Sequence, residues 1–464
     1  MTSAIRQLLK LIADSVDKLE TLCETSGHQL PDLHGPFSPS SEAFRAEPEA
    51  EEVTRIICAA ALQLEATLMP PSISFYRLVT GYSLSAALRV CLESNVTEFL
   101  REAGPKGLHV DRLASKTGQD SKKLARFLRY LATYHCYREI TPDVFTNTRI
   151  SSVMDTLKSS QEILDNPDTK YNNTNGLDAL ASLQLDEIFK AAAWTWETLT
   201  DPKTMKSDDP KTAPISRAFG ETLWELHARD EQRTRRFNLA MRGVQTFQPK
   251  EMILKAYEWD HLPENSIIVD VGGGVGNESL QLARAFPALD IVIQDLPPVI
   301  ADAKKLWKDE NSNARVTLEV HNFFEPQSKD REVSVFLLKY ILHDWPDKYC
   351  VEILSHLRAA AGKNTKLVIV ETLIPYACHH PSNDAECAIA DNAQEAPKPL
   401  LANYGAVSGI PYNHDITMYL LLNSQERTSR HMEELLRSAG WLVKKFMPQH
   451  DRITFLQSIE AIPI

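Results

Sequence analysis

The sequence predicts an α/β protein: a mostly parallel, seven-stranded sheet covered by helices on both faces, preceded by a helical region containing a winged helix. Three features of the 464-residue chain predict it. From residue 266 onward, short apolar runs alternate with amphipathic stretches, the pattern that builds βαβ units. The first run, IIVDVGGGVG (267–276), reaches an acid and turns through three consecutive glycines, and the next, IVIQD, ends at Asp295. Between Leu108 and about Val153, two short helical patterns are followed by a hairpin pattern.

Residues 1–25 read as an amphipathic helix, because Ile5, Leu8, Leu9, Ile12, Val16 and Leu19 recur at helical spacing. The HGPFSPSSEAFRAEPEAEE that follows is rich in Pro, Ser and acids and reads as a linker. Residues 50–104 read as helices, with ALRVCLESNVTEFL as one of them. VDRLASKTG is then a short helix closed by Gly118, and DSKKLARFLRYLATY a second with Leu124, Phe127, Leu128 and Leu131 inward. CYREITPDVFTNT is a hairpin turning at Pro142-Asp143, which completes a winged helix. Residues 155–250 read as mostly helical, interrupted at TDPKTMKSDDPKTAP. Strands fit Ile267–Val271, Ile291–Gln294, Val316–Val320, Val333–Leu338 and Lys366–Val370, with two more near Trp441–Phe446 and Ile453–Leu456. The helices between them include GNESLQLARAF, DKYCVEILSHLRAAAG (stopped by Gly362) and TSRHMEELLRSAG (stopped by Gly440).

Composition excludes several classes. The apolar (43%) and charged (24%) fractions are those of a globular domain, and no run of 18 apolar residues offers a membrane span. The N-terminus lacks a signal-peptide core, so a cytoplasmic protein is expected. The seven cysteines are dispersed without a C-x-x-C pair and read as reduced thiols. Cys378, His379, His380 and Cys387 suggest a metal site, but adjacent histidines in a polar loop rarely give tetrahedral geometry, so no metal is expected. A net charge of −12 argues against a general nucleic-acid binder. The winged helix is locally basic (Lys106, Arg112, Lys116, Lys122, Lys123, Arg126, Arg129), and a solvated face is the commoner explanation of such a run.

The glycine turn carries the first chemical signal. Glycine takes positive φ freely and lets a ligand lie against the backbone, while an acid about 20 residues on accepts hydrogen bonds from a ribose diol. Together they mark a nucleoside site. A dinucleotide fingerprint needs G-x-G-x-x-G, but its last place falls on Asn277. The G-x-G-x-G that remains (Gly272, Gly274, Gly276) suits S-adenosyl-L-methionine, which has no phosphate to cradle. Ligands of such sheets sit at strand carboxyl ends, where Asp270, Asp295, Asn322 and Glu371 all fall.

VFLLKYILHDWPDKYC carries the second. His343 lies in the short connection between a strand and a helix, on the sheet edge of the glycine turn. Methyl transfer to oxygen needs a nucleophile close to an oxyanion. A phenol of pKa near 10 therefore needs a base, and an imidazole near 6.5 is suited to serve. Its cation needs a carboxylate, and Glu371 and Glu426 are both candidates. Each also has a structural alternative, strand-end polarity for Glu371 and helix-dipole placement for Glu426.

The ordered motifs VDVGGGVG, QDLP, HNFF, LLKYILHDWPD, VIVETLIP and LNSQERT, spread over residues 50–464, resemble the plant-type phenolic O-methyltransferases. Their fungal secondary-metabolism relatives, of the sterigmatocystin type, are the nearest match. The resemblance implies a Rossmann-like class I methyltransferase domain behind a helical winged-helix dimerisation domain, in an intertwined homodimer without nucleic acid. It divides the chain into an N-terminal helix and linker (1–49), a dimerisation domain (50–155), a helical substrate-pocket region (156–250) and a catalytic domain (251–464). It assigns His343 as general base, flanked by Glu371 and Glu426. Gly272, Gly274, Asp295, Leu296, Asn322, Phe323 and Lys339 would contact S-adenosyl-L-methionine. Phe237, Met241, Met418 and Asn423 would line the pocket for a small aromatic substrate.

Three departures stand out. His321-Asn322-Phe323 replaces a usual Gly-Asp-Met, the segment Tyr376–Tyr412 is long, and the N-terminal 45 residues are poorly matched. The long segment reads either as a lid over the substrate or as a disordered excursion. The expected activity is methylation of a phenolic or enolic hydroxyl. The alternatives are a cofactor-binding pericyclase on the same fold and a winged-helix regulator that senses the nucleoside.

Overall fold

The structure is a computed structural model that describes residues 3–249, 251–308, 315–379, 395–448 and 454–464. Helix α1 (Ala4–Ser26) starts where the Ser3 hydroxyl accepts the Arg6 N–H and ends at Gly27 in the left-handed region. It packs along α2 (Pro48–Leu68). The expected linker between them holds a short 3₁₀ helix, Pro39–Ala46, capped by Ser38. Helices α3 (Pro71–Val79), α4 (Tyr82–Glu93) and α5 (Val96–Ala103) follow. The single helix expected over ALRVCLESNVTEFL is thus two. Asn95 adopts φ 55°, which breaks the helical path so that Val96, Phe99 and Leu100 turn into the core.

The winged helix forms as expected. Strand β1 (Leu108–His109) leads into α6 (Val110–Thr117), closed by Gly118 at φ 72°. Helix α7 (Ser121–Ala132) is capped by the Asp120 carboxylate, which accepts the Lys123 N–H at 2.9 Å. Strands β2 (Tyr137–Thr141) and β3 (Val144–Asn147) complete a sheet of order β1-β3-β2, with Asp143 at φ 63° in the turn. Leu124, Leu128 and Leu131 are fully buried with Leu113 and Phe145, and Phe127 packs at the edge of the same cluster. Each such side chain contributes about 1.5–3 kcal/mol by leaving water.

Residues 160–245 are helical, broken by the polar stretch as expected, and include one π-helical turn, Gln184–Ile188. That turn buries Asp186 and Glu187, which are met by Arg89, Lys190, Arg233, Arg236 and His227. A buried acid pair of this kind has no periodic sequence signal.

The C-terminal half forms a seven-stranded sheet from β4 (Ile267–Val271), β5 (Asp290–Asp295), β6 (Arg315–Val320), β7 (Val333–Lys339), β8 (Lys366–Thr372), β9 (Trp441–Pro448) and β10 (Leu456–Pro463). Its order is β6-β5-β4-β7-β8-β10-β9. Strands β4 to β8 are parallel, and β10 runs antiparallel between β8 and β9. The strand expected at Ile453–Leu456 is a correction: Ile453 lies outside the described residues, and pairing begins at Leu456 and continues to Pro463. The helix expected to stop at Gly362 ends at Ala360, turned by an extended Ala361. No single helix among the described residues is long and apolar enough to cross a membrane.

Candidate active site

The carboxyl ends of β4, β5 and β6 bring the glycine turn and its acids together. After β4 the chain turns back at Gly272, Gly274 and Gly276, all at positive φ. Gly273 must lack a side chain because a Cβ there would sit 2.6 Å from an Asp270 carboxylate oxygen. Gly274 differs. At φ 62° a Cβ would meet no atom within 4 Å, so the backbone faces open space that a ligand can approach. Asp295, at the end of β5, reaches across and accepts the Gly274 N–H at 2.9 Å and the Leu296 N–H at 2.7 Å. Leu296 itself is exposed. Asp270 is buried, accepts the Ser279 hydroxyl at 2.6 Å, and is pushed by burial up to about 6.

This cradle fits S-adenosylmethionine. It presents bare backbone and an acid for a diol, while Lys339, at the end of β7, is held by Glu278 at 2.8 Å and Gln248 at 3.2 Å. Asn322 accepts the Phe324 N–H, and Phe323 stands edge-on to Trp345. His321, in place of the usual glycine, is kept low in pKa by burial, and its Nε2 has no partner among the described residues.

His343 stands on a 3₁₀ turn, Leu342–Asp344, directly after β7. Its Nδ1 lies 2.9 Å from Glu426 Oε1, and its Nε2 is 3.5 Å from Asp344. The two glutamates do different things. Glu426 bonds the imidazole, whereas Glu371 Oε1, on β8, accepts the N–H groups of Ile341 (3.0 Å) and Leu342 (2.8 Å). Ligating atoms of His343, Glu371 and Glu426 lie within 4.8 Å of one another. The Oε2 atoms of both glutamates are buried without a hydrogen-bond partner among the described residues. Burial by itself would lower the His343 pKa, but the carboxylates of Asp344, Glu426 and Glu371 outweigh it and hold it at about 10. The resting imidazole therefore carries a proton at neutral pH. Burial raises the Glu371 carboxyl well above the usual carboxylate range.

A cleft of about 680 Å³ opens beside this turn, lined by Thr195, Leu199, Pro346, Ile416, Tyr419 and Asn423 among others. Of the four expected pocket residues, Asn423 is on its wall. It caps the Gly409–Leu422 helix at φ 57° and donates to Ser207 O at 2.6 Å. Met418, Met241 and Phe237 pack at the edge of the cluster around Leu420 and Leu239, with Phe237 against His227 and Trp224. Of the suggested metal-loop residues, His380 and Cys387 lie outside the described residues, and His379 is engaged by Glu395 (2.5 Å) and Leu400 O (2.8 Å).

Two groups escaped the sequence reading. Arg427, 2% exposed, donates to Leu342 O, Trp345 O and Asp347, each at 2.8 Å, and so pins both ends of the His343 turn. It sits in the same QERT motif as Glu426, but a buried arginine cannot be told from a surface one by its letter. Asp415, in the Gly409–Leu422 helix, accepts the Glu426 N–H at 2.9 Å. Its neighbour His414 is held low in pKa by burial and lies within the fields of Glu426 and His343.

A family model described as the O-methyltransferase domain matches residues 196–442, and one described as the O-methyltransferase dimerisation domain matches residues 76–156. The chain is 49% identical to 4-O-methyltransferase 1 of Phanerochaete chrysosporium, over 100% of both chains. Among solved structures, mitomycin 7-O-methyltransferase shares the fold with a TM-score of 0.61 at 22% identity, covering 85% of this chain and 98% of that one. A structure described as a pericyclic reaction enzyme also shares it, with a TM-score of 0.64 at 19% identity over 98% of this chain and 100% of that one. With a dimerisation domain ahead of a class I methyltransferase sheet, the chain belongs to the fungal S-adenosylmethionine-dependent O-methyltransferases.

Proposed function

We propose that this enzyme methylates a phenolic or enolic hydroxyl of a small aromatic, polyketide-type natural product, with His343 as general base. The observation that carries the proposal is the 2.9 Å bond between His343 and the buried Glu426, on the sheet edge that also carries the glycine cradle. Gly272, Gly274, Asp295, Leu296, Asn322, Phe323 and Lys339 would hold the donor. When bound, S-adenosylmethionine supplies an electrophilic methyl group and a positive charge. The acceptor would enter by the cleft, with Asn423 on its wall, Phe237, Met241 and Met418 packed in the cluster behind it, and the partner subunit contributing to it.

A base that rests as a cation can still serve this chemistry. An imidazole of pKa about 10 is matched to a phenol of pKa near 10, so a proton passes between them with little free-energy change. A neutral imidazole beside a phenol and an imidazolium beside a phenolate hold the same number of protons. Reaching either pair from an imidazolium and a phenol requires one proton to leave for solvent, a loss that the positive charge of bound S-adenosylmethionine favours. The acceptor oxygen then faces the methyl group as a paired oxyanion. Glu426 fixes the ring and stabilises its charge, and Glu371 holds the turn on which the ring stands.

His343→Gln tests the assignment. It should still bind S-adenosylmethionine, while methyl transfer falls by about 10²–10⁴-fold, and the deficit should shrink at high pH as the acceptor ionises unaided. A wild-type rate in this variant would remove the base. Turnover of an acceptor without release of S-adenosylhomocysteine would replace methylation with a pericyclic reaction.

A further inference from the structure

The fold joins the N-terminal helices to the chain between Glu371 and Glu426. Leu8 of α1 and Ala59 and Ala60 of α2 share one buried cluster with Ala396, Leu400 and Tyr404. Polar contacts fix the seam. Gln63 donates to Pro399 O at 2.8 Å, and the Tyr404 hydroxyl donates to Glu52 at 2.5 Å. Arg55 of α2, 4% exposed, lays its guanidinium 4.0 Å from the centre of the Tyr404 ring and donates to Ser408 Oγ at 3.0 Å.

Ser408 is the N-cap residue of the Gly409–Leu422 helix. That helix forms one wall of the cleft and carries Asp415, which holds the Glu426 N–H, and Glu426 holds His343. Tyr412 in its first turns donates to Pro375 O at 2.5 Å and accepts from Asn403 at 2.7 Å, tying the helix to the chain that leaves β8. Direct contacts and this one rigid helix therefore connect α2 to the imidazole.

We propose that Arg55 is a positioning residue of the active site. Through Tyr404 and Ser408 it sets the start of the Gly409–Leu422 helix, and with it both the acceptor cleft and Glu426. A planar cation that stacks on a ring while donating from its fork can do this, and a lysine cannot do both. The inference rests on the reading of His343 and Glu426 given above.

The test uses the full chain and the phenol giving fastest turnover from a panel of substituted phenols. Arg55→Met should lower acceptor kcat/KM by about tenfold or more while the S-adenosylmethionine Kd, read by calorimetry, stays within about twofold, and Arg55→Lys should fall between. An acceptor kcat/KM within about twofold of wild type, or a cofactor Kd that weakens in step with it, overturns the proposal. Should Arg55→Met fail to fold, Ser408→Ala keeps the stacked ring and removes the acceptor of the Arg55 bond. It should cost about threefold in acceptor kcat/KM, and unchanged kinetics there also overturns the proposal. His343→Gln measured alongside separates the two ideas. A wild-type rate in it removes the base, while Arg55 is still judged by acceptor kcat/KM against cofactor Kd.

Discussion

The two glutamates beside His343 should fail differently when neutralised. Glu426→Gln replaces a buried carboxylate 2.9 Å from the imidazole by an amide of the same shape. A charge-assisted hydrogen bond of this kind is worth about 1.5–3 kcal/mol, which at about 1.4 kcal/mol per decade predicts a loss of roughly 10- to 150-fold in kcat/KM. Glu371→Gln keeps a carbonyl oxygen for the Ile341 and Leu342 N–H groups, so its loss should stay under about tenfold. The pH behaviour gives a second reading. Because Glu426 is one of the charges that raise His343 to about 10, its removal moves the imidazole pKa down. A raised histidine adds stability that is fully present below its unfolded value of 6.5 and disappears as pH climbs through about 10. The Tm deficit of Glu426→Gln should therefore be largest at and just below about pH 6.5, shrink above it, and close as pH climbs through about 10. Initial rates of labelled-methyl transfer and the imidazole NMR titration measure both effects. A larger loss from Glu371→Gln than from Glu426→Gln, or an imidazole pKa unmoved by Glu426→Gln, would refute the division of labour.

Three further outcomes follow from the same geometry. Asp295→Ala should weaken S-adenosylmethionine by tens-fold or more in calorimetry, since charge-assisted bonds to a diol are worth about 2–4 kcal/mol, and unchanged affinity would remove the acid from the site. Gly274→Ala places a methyl in the open face at φ 62°, so it should abolish cofactor binding while lowering stability by only about 1–2 kcal/mol, read by denaturant unfolding. The enzyme should sediment and scatter light as a homodimer through residues 50–150, and a stable, fully active monomer at micromolar concentration would contradict this.

What was legible in the sequence follows its periodicities. Strands β4, β5 and β7 are continuous apolar runs bounded by turn residues, so they were placed within a residue or two. Helix α6 announced itself through Gly118, and α7 through the spacing of Leu124, Phe127, Leu128 and Leu131. The break at Asn95 was hidden because the apolar spacing continues across it while the backbone turns. In the site, His343 and its acids were visible as letters at strand ends. Their pairing was not, because Glu426 reaches the imidazole across more than 80 residues and Glu371 spends its carboxylate on backbone. Arg427 and Asp415 act on the turn from behind, at distances no local pattern records.

Strand β10 makes β8 an interior strand: Gln457 stands opposite Glu371, and residues 456–463 lie along it. The glutamate that holds the His343 turn is therefore set on a strand paired on both sides, whereas the glycine cradle follows β4, on the far side of β7. A local opening of β10 would reach the proton-handling half of the site first and leave the strands under the cradle paired.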